Sequence, residues 1–141
     1  MNERGEKQFS HLPKFAAKLY DKLMKNKPIE LQISEIANDI ISNCNSGSIL
    51  DVGTGHGRLL KKLHELAPNL ELYGLDISHA MIKLAKNNLK SYNIDLQVSN
   101  ILKTPYNDEN FDIVTCTGSF YLWNKPIESV NEIFRILKPE N

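Results

Sequence analysis

Three glycines at alternate positions follow a short apolar segment that carries an acid. The segment reads Ile49-Leu50-Asp51-Val52-Gly53-Thr54-Gly55-His56-Gly57, and a second acid, Asp76, ends the next apolar run. Such glycines permit positive φ angles and let a backbone approach a ligand where a Cβ would obstruct it. The helix expected after them directs free N–H groups at that ligand. An acid ending the second strand of a βαβ unit is placed to accept hydrogen bonds from two ribose hydroxyls, so the pattern predicts a nucleotide-type ligand.

The spacing of the glycines differs from the dinucleotide-binding fingerprint. That fingerprint requires a third glycine three residues after the second. Arg58 occupies this position, and the third glycine comes one residue early, at Gly57. Asp51 also lies inside the first expected strand, where the fingerprint has only apolar residues. A nicotinamide-dependent oxidoreductase is therefore an unfavoured alternative.

The glycine-rich segment resembles the first motif of the class I S-adenosylmethionine-dependent methyltransferases, hydrophobic-hydrophobic-Asp-hydrophobic-Gly-x-Gly-x-Gly. Four later segments match this family in order and spacing. They are Ser99-Asn100-Ile101, Thr104-Pro105-Tyr106, Asn110-Phe111-Asp112-Ile113-Val114 and Glu132-Ile133-Phe134-Arg135-Ile136-Leu137-Lys138-Pro139. The family has an acid at the position of Asn100, whose amide oxygen can still accept a hydrogen bond but carries no charge.

The resemblance implies S-adenosylmethionine as the cofactor. The residues that it places at this cofactor are Asp51, Gly53, Thr54, Gly55, Gly57, Asp76, Ile77, Met81, Asn100, Ile101 and Thr117. The glycine loop would cradle the methionyl part, Asp51 would order that loop or face the methionyl ammonium, and Asp76 would bind the ribose. Ile77 and Met81 would pack on the adenine, and Asn100 with Ile101 would meet its amino edge. For Ile77, Met81 and Ile101 plain core packing is an equal alternative, and Thr117 is as readily a turn hydroxyl.

Methyl transfer from a sulfonium is an in-line displacement that depends on alignment more than on an acid or base. We therefore assign no catalytic residue. Polar candidates near the expected pocket are His11, Tyr20, His56, Tyr106 and Tyr121. Tyr20 lies on a helix that resembles the N-terminal lid of small-molecule members, with a core aromatic as the alternative, and we expect His56 on the loop surface. No His, Cys or acid spacing indicates a metal site.

The segment after the fourth expected strand narrows the acceptor. Family members that methylate planar amide or amino nitrogens carry an Asn-Pro-Pro-Tyr-like turn there. This chain has Cys116-Thr117-Gly118-Ser119-Phe120-Tyr121, which contains no proline. A small-molecule acceptor is therefore favoured over a nucleic-acid base or a glutamine side chain. The alternative from another class is a non-catalytic module that binds the cofactor or a protein partner.

Strands that alternate with helices predict an α/β fold, a Rossmann-like doubly wound parallel sheet with right-handed crossovers. We expect strands at residues 48–52, 70–75, 94–98 and 111–117, in the family order 3-2-1-4. Two N-terminal helices, at residues 10–26 and from Pro28 to about residue 43, form a helical cap over residues 1–47. Residues 48–141 form the cofactor-binding domain, with helices at 58–66, after Ser78 and from Pro126. The apolar face of the last helix, expected to point inward, consists of Ile127, Val130, Ile133, Phe134 and Leu137.

Composition excludes several classes of partner. The 141 residues carry 17 basic and 17 acidic side chains, with arginine only at Arg4, Arg58 and Arg135. No positive field is available to hold a nucleic acid. No apolar run approaches the ~20 residues that span a bilayer, so we expect no membrane partner. Cys44 and Cys116 have no metal-ligand spacing, and a reducing cytoplasm fits them best.

The family sheet has seven strands, and this sequence accounts for four. We therefore expect strands five to seven to be missing, so that the domain is incomplete and inactive toward acceptors. The fourth strand would then be an open, apolar sheet edge. Because such edges recruit other chains, we also expect self-association through this strand.

Overall fold

One four-stranded parallel sheet organises the part of the chain that the computed structural model describes, residues 13–23, 25–119 and 123–140. Its strands are β1 Gly47–Val52, β2 Leu70–Asp76, β3 Asp95–Val98 and β4 Ile113–Thr115. Their order is β3-β2-β1-β4, as predicted, and every neighbouring pair is parallel. β1 is central and buried from Ser48 to Val52, as expected for a strand that is covered on both faces.

Five helices flank this sheet within the described residues. They are α1 Lys14–Leu23, α2 Lys27–Asn43, α3 Arg58–Leu66, α4 His79–Asn88 and α5 Pro126–Ile136. Successive side chains of β1 point to opposite faces. Ile49 therefore packs in one apolar cluster with α2, α3 and α4, whereas Leu50 and Val52 pack in a second cluster with Ile136 of α5. The sheet thus separates two cores, which confirms the doubly wound prediction.

The boundary between the first two helices differs from the prediction. α1 ends at Leu23 and does not extend to Asn26. Asn26 is instead the N-cap of α2, and its side chain accepts a hydrogen bond from Ile29 N at 3.2 Å. Pro28 lies in the first turn of α2, where a missing N–H costs no helical hydrogen bond. Ser10, the predicted start of the first helix, lies outside the described residues.

β4 is shorter than the predicted strand at both ends. Phe111 forms a separate parallel bridge with Leu137. Phe111 N donates to Ile136 O and Lys138 N donates to Phe111 O, both at 2.9 Å. The residues after α5 therefore cover the beginning of the outer edge that we expected to be open. Asp112 N donates to Ser48 O, so the backbone groups of Asp112 face β1. Strand alternation therefore directs the N–H and C=O groups of Ile113 and Thr115 to the outer edge, where no described strand accepts or donates a hydrogen bond.

The orientation of α5 confirms the predicted inward face only in part, since Ile133 packs against the core and Leu137 is half-buried. Ile127, Val130 and Phe134 are 74%, 48% and 81% exposed, whereas Ser129 and Ile136 are buried. The apolar residues of α5 span a wider arc of the helix surface than the arc that contacts the sheet. The side of the helix that packs on the sheet contains Ser129 and Ile136. Periodicity showed that the helix was amphipathic but did not show which part of this arc would be covered.

Two of the motif segments meet in a hydrogen-bond network beside the sheet. Glu132 of α5 accepts hydrogen bonds from Thr104 N and Thr104 Oγ1, both at 2.8 Å, and from Arg135. Arg135 also donates to Tyr106 O and pairs with Asp108. The hydrogen bond from Arg135, followed by those from Thr104, lowers the pKa of Glu132 from 4.5 to about 2. The network attaches the loop after β3 to α5.

We predict that Glu132→Ala destabilises the protein by about 2 kcal/mol, because Thr104 and Arg135 lose a charged hydrogen-bond acceptor. Since the pKa of Glu132 is depressed in the folded state, this stabilisation exists above pH 4.5 and is lost as the pH falls toward 2. Urea denaturation at neutral and acidic pH measures the difference. The matched control is Glu128→Ala, an exposed acid of the same helix, for which we expect a change within about 0.5 kcal/mol. An equal effect of both substitutions would show that the network contributes nothing.

Candidate functional site

A pocket opens where the strands end at their C-terminal edge. In an open parallel sheet this edge is where ligands bind. The residues that line it are Tyr20, Val52, Gly53, Gly55, Leu75, Asp76, Ile77, Met81, Asn100, Ile101, Gly118, Ser119 and Trp123. They come from the segments that follow all four strands, together with one side chain of α1. The topology therefore brings together residues that are far apart in the sequence.

The glycine loop between β1 and α3 has an unusual backbone. Gly53, Gly55 and Gly57 have φ angles of 72°, 57° and 86°, the left-handed region that favours glycine. The N–H groups of Gly53 and Thr54 both donate to Leu75 O, at 2.8 and 3.0 Å, and Gly55 N donates to Asp76 Oδ2 at 2.9 Å. These three N–H groups are therefore used inside the protein and are not free for a ligand. What the loop offers to a ligand is close approach of its backbone.

The three glycines are required for two different reasons. A Cβ at Gly53 would collide with the side chain of Ser119, and a Cβ at Gly57 would lie 2.6 Å from Leu89 Cδ1. These two glycines therefore allow the loop to pack against the protein itself. A Cβ at Gly55 would meet no protein atom within 4 Å. Gly55 is thus the glycine whose missing side chain leaves space in the pocket.

Asp76 connects the end of β2 to the glycine loop and to α4. One carboxylate oxygen accepts from Gly55 N and the other from Ser78 N, both at 2.9 Å. Each oxygen keeps a further lone pair for a ligand in the pocket. Burial raises the pKa of Asp76 above its usual range, while the two backbone hydrogen bonds oppose that shift. A hydrogen-bond donor from a ligand would therefore meet a poorly hydrated carboxylate.

Asp51 lies beneath the loop and does not line the pocket. Its side chain is 2% exposed, and Thr115 Oγ1 donates to its Oδ1 at 2.9 Å. Burial raises the pKa of Asp51 to about 6, against the opposing hydrogen bond from Thr115. The nearby Thr54 Oγ1 is buried and has no hydrogen-bond partner among the described residues. That Asp51 orders the loop stays a prediction.

Residues 50–141 match the family model for a methyltransferase domain. The chain belongs to this methyltransferase family. It is 33% identical over 108 residues to an uncharacterized methyltransferase from Schizosaccharomyces pombe. This alignment covers 77% of this chain and 41% of the relative. A demethylmenaquinone methyltransferase from Thermotoga maritima is 28% identical over 134 residues, 89% of this chain and 58% of the relative.

A crystal structure from Methanococcus maripaludis, assigned as an S-adenosylmethionine-dependent methyltransferase, superimposes with a TM-score of 0.80 at 28% identity. The superposition covers 89% of this chain and 59% of the other. The resemblance to class I S-adenosylmethionine-dependent methyltransferases is thereby confirmed, and S-adenosylmethionine is the cofactor of the family. The chain spans about half the length of the curated relatives it matches.

The methyltransferase pocket contains most, but not all, of the residues expected at the cofactor. Ile77, Met81, Asn100 and Ile101 line it together with Gly53, Gly55 and Asp76. Thr54 is buried behind the loop, Gly57 packs against α4, and Thr117 is exposed past the end of β4. These three residues do not line the pocket.

The sequence reasoning did not assign five residues that line this pocket, namely Val52, Leu75, Gly118, Ser119 and Trp123. Two of them, Ser119 and Trp123, have side chains that shape the pocket. Ser119 fills the space beside Gly53, and its Oγ donates to Val52 O at 3.2 Å. Trp123 is 8% exposed and packs in the same apolar cluster as Val52 and Ile101. The only available signal was that Trp123 is the single tryptophan of the chain. Neither residue belongs to a motif, because both reach the pocket through the path of the loop after β4.

α1 covers the glycine loop and one side of the pocket. Tyr20 lines the pocket and packs edge-on against His56, with ring centroids 5.7 Å apart. Asp21 Oδ1 lies 3.6 Å from His56 Nε2, and Asn88 Nδ2 donates to His56 O at 3.1 Å. His56 is 6% exposed, which corrects the expectation of a surface residue, and burial lowers the pKa of its imidazole. The expectation failed because the cover is supplied by a distant helix.

The other polar candidates lie away from this pocket or outside the described residues. Tyr106 packs edge-on with Tyr73 and Phe111 in the core, and burial raises the pKa of its phenol above the usual range. His11 and Tyr121 fall outside the described residues. Within the described ranges no group of three or more His, Cys, Asp or Glu side chains could hold a metal ion, and no helix there is long and apolar enough to span a bilayer.

We predict that Asp51→Asn stabilises the protein at pH 7.5 by up to about 3 kcal/mol, since each pKa unit corresponds to about 1.4 kcal/mol. The raised pKa means that the native state binds more protons than the unfolded state between about pH 4 and pH 6. The free energy of unfolding of the wild type should therefore fall as the pH rises from about 4 to about 6. The stabilisation by Asp51→Asn should appear over the same interval. Urea denaturation at pH 4 and pH 7.5 measures both, with the exposed Asp95→Asn as the control. A gain of equal size at the two pH values would contradict the buried-charge explanation.

Proposed function

We propose that this chain is the cofactor-binding part of an S-adenosylmethionine-dependent methyltransferase that acts on a small-molecule acceptor. The observation that carries the proposal is the open space at Gly55, which is bordered by a buried carboxylate at Asp76 and by the apolar side chains after β2 and β3. A cofactor with a ribose and an adenine needs these two kinds of surface. Family membership makes S-adenosylmethionine the ligand to test first.

Each pocket residue has a distinct binding role in this proposal. Asp76 accepts hydrogen bonds from the ribose hydroxyls through its remaining lone pairs. Ile77 and Met81 pack on the adenine, and the amide oxygen of Asn100 accepts from its amino group. Asp51, beneath the loop, favours the positively charged ammonium of the methionyl part without touching solvent. Thr54 and Gly57 support the loop from outside the pocket.

When bound, S-adenosylmethionine supplies an electrophilic methyl group on a sulfonium, which a nucleophilic atom of the acceptor displaces in line. The chain's contribution is alignment and exclusion of water. Trp123, Ile101 and Val52 form apolar walls of the pocket, and Tyr20 closes it from α1. No described side chain is required as a base, so the catalytic residue, if the acceptor needs one, stays unassigned.

The acceptor that we propose is a small molecule rather than a nucleic acid or a protein side chain. The relative from Thermotoga maritima is a demethylmenaquinone methyltransferase, and demethylmenaquinone is neither a nucleic acid nor a protein. The segment after β4, which contributes Gly118, Ser119 and Trp123 to the pocket, carries no Asn-Pro-Pro-Tyr turn for an amide or amino group. The identity of the acceptor is tested by transfer of a labelled methyl group from S-adenosylmethionine to candidate small molecules.

We predict that the chain binds S-adenosylhomocysteine and not NAD, and that Asp76→Asn weakens this binding by about tenfold or more. The substitution removes a charged acceptor, whose hydrogen bonds are worth roughly 1.5–3 kcal/mol. Isothermal titration of both ligands checks the prediction, with Asp95→Asn as the matched control because Asp95 is exposed on β3. NAD binding with comparable affinity would instead support the oxidoreductase alternative.

Gly55→Ala should fold but lose cofactor binding. Its Cβ meets no protein atom, so the only cost in the free protein is the positive φ, on the order of 1 kcal/mol. In the complex the same Cβ would occupy the space that the ligand needs. Thermal unfolding without ligand separates these effects from a titration with S-adenosylhomocysteine. Normal binding by the alanine variant would refute the close-approach argument.

A further inference from the structure

α1 presents two adjacent rows of exposed side chains on the side that faces away from the pocket. Phe15, Leu19 and Leu23 form an apolar row and are 73%, 54% and 62% exposed. Residues four apart lie on one face of a helix, and consecutive residues differ by about 100° around it. The second row, beside the first, consists of the exposed lysines Lys14, Lys18 and Lys22.

The lysine row is a local concentration of positive charge. Residues 14–27 contain five lysines and one aspartate, whereas the rest of the chain has 12 basic and 16 acidic residues. That aspartate, Asp21, is half-buried and pairs with Lys25 at 2.8 Å. Lys14, Lys18 and Lys22 form no ion pair with the part of the chain that the structure describes. Their charge is therefore available to an anionic partner.

We propose that α1 docks flat on an anionic phospholipid surface. A helix with one apolar and one basic face lies in the plane of the membrane interface, with its apolar side chains at the headgroup–acyl boundary and its lysines at the lipid phosphates. This mode differs from spanning the bilayer, and it revises the expectation that the chain has no membrane partner. The proposal is independent of methyl transfer, since none of the six side chains lines the pocket.

The two rows together favour a membrane over other occupants. A nucleic acid would pair with the lysines but leave Phe15, Leu19 and Leu23 in water. A two-fold contact with a second copy would cover the apolar row but bring two lysine rows into one interface, which like-charge repulsion opposes. An anionic phospholipid surface satisfies both rows, because it offers phosphates to the lysines and acyl chains to the apolar side chains.

The remaining faces of α1 are already used by the fold. Ala17 is 2% exposed against the body of the protein, and Asp21 reaches the buried His56. Tyr20, three residues before Leu23 and hence its neighbour on the helix, lines the pocket. Docking through the exposed rows therefore leaves these contacts intact. Because α1 also covers the pocket, docking brings the lipid surface close to the pocket.

The test is co-sedimentation of the chain with vesicles of phosphatidylcholine, with and without phosphatidylglycerol. We expect binding only to the anionic vesicles and a decrease as salt is raised. Lys18→Gln/Lys22→Gln should weaken binding by about 30-fold, and Phe15→Gln/Leu19→Gln by at least about tenfold. Circular dichroism and titration with S-adenosylhomocysteine establish that both variants keep the fold and the pocket.

Two matched pairs serve as controls. Lys103→Gln/Lys125→Gln removes two exposed lysines outside α1, and Ile127→Gln/Phe134→Gln removes two exposed apolar residues of α5. Neither pair should change vesicle binding. The proposal is overturned if the wild-type chain ignores anionic vesicles at low salt, or if the α5 pair weakens binding as much as the α1 pair. It is also overturned if only the lysine variants have an effect, or if the chain forms a dimer that Phe15→Gln/Leu19→Gln abolishes while vesicles are ignored.

Discussion

Three backbone hydrogen bonds at the ends of β1 and β2 are the constraint on which the site depends. Gly53 N and Thr54 N donate to Leu75 O, and Gly55 N donates to the side chain of Asp76. The two bonds to Leu75 O extend the pairing of β1 with β2 beyond Val52, and the bond to Asp76 fixes the next residue of the loop. The glycine loop can follow this course only with positive φ at alternate residues, and the pocket exists because the loop is held against β2.

The same arrangement places two acids in poorly solvated positions. Burial raises the pKa of both Asp51 and Asp76, so each carboxylate costs folding free energy at neutral pH. Neutral residues of similar shape would be more stable there. Residues at functional sites commonly lower the free energy of unfolding in this way. A positively charged or hydrogen-bond-donating ligand would stabilise the buried carboxylates and so raise that free energy on binding. The acids are thus better explained by a ligand than by the fold.

Two helices, α1 and α5, expose large apolar side chains. In α1 the buried side is taken by Ala17 and by the contacts of Tyr20 and Asp21 with the loop, so the larger apolar residues face outward beside the lysines. In α5 the network of Glu132 and Arg135 holds the helix to the loop after β3, and Ser129 and Ile136 face the sheet. Polar anchors, rather than the largest apolar residues, therefore set the rotation of both helices.

Sequence alone determined the features that depend on local spacing. Alternate glycines after an apolar strand require positive φ whatever surrounds them, and the caps at Ser78 and the proline at Pro126 begin helices through contacts within one turn. The order of the strands followed from resemblance to the family. The structure confirms each of these. It also places Ile77, Met81 and Asn100 in the lining of the pocket, where their contact with a cofactor stays a prediction.

Only the tertiary structure decided which surfaces those elements present. It buried His56 under a helix more than thirty residues away, turned Phe134 outward, used the loop N–H groups inside the protein, and brought Trp123 and Ser119 to the pocket. It also joined Glu132 to Thr104, two residues whose motifs look independent in the sequence. The physical reason is that periodicity and turn chemistry are encoded within a few residues, whereas burial is a property of what the rest of the chain packs against each side.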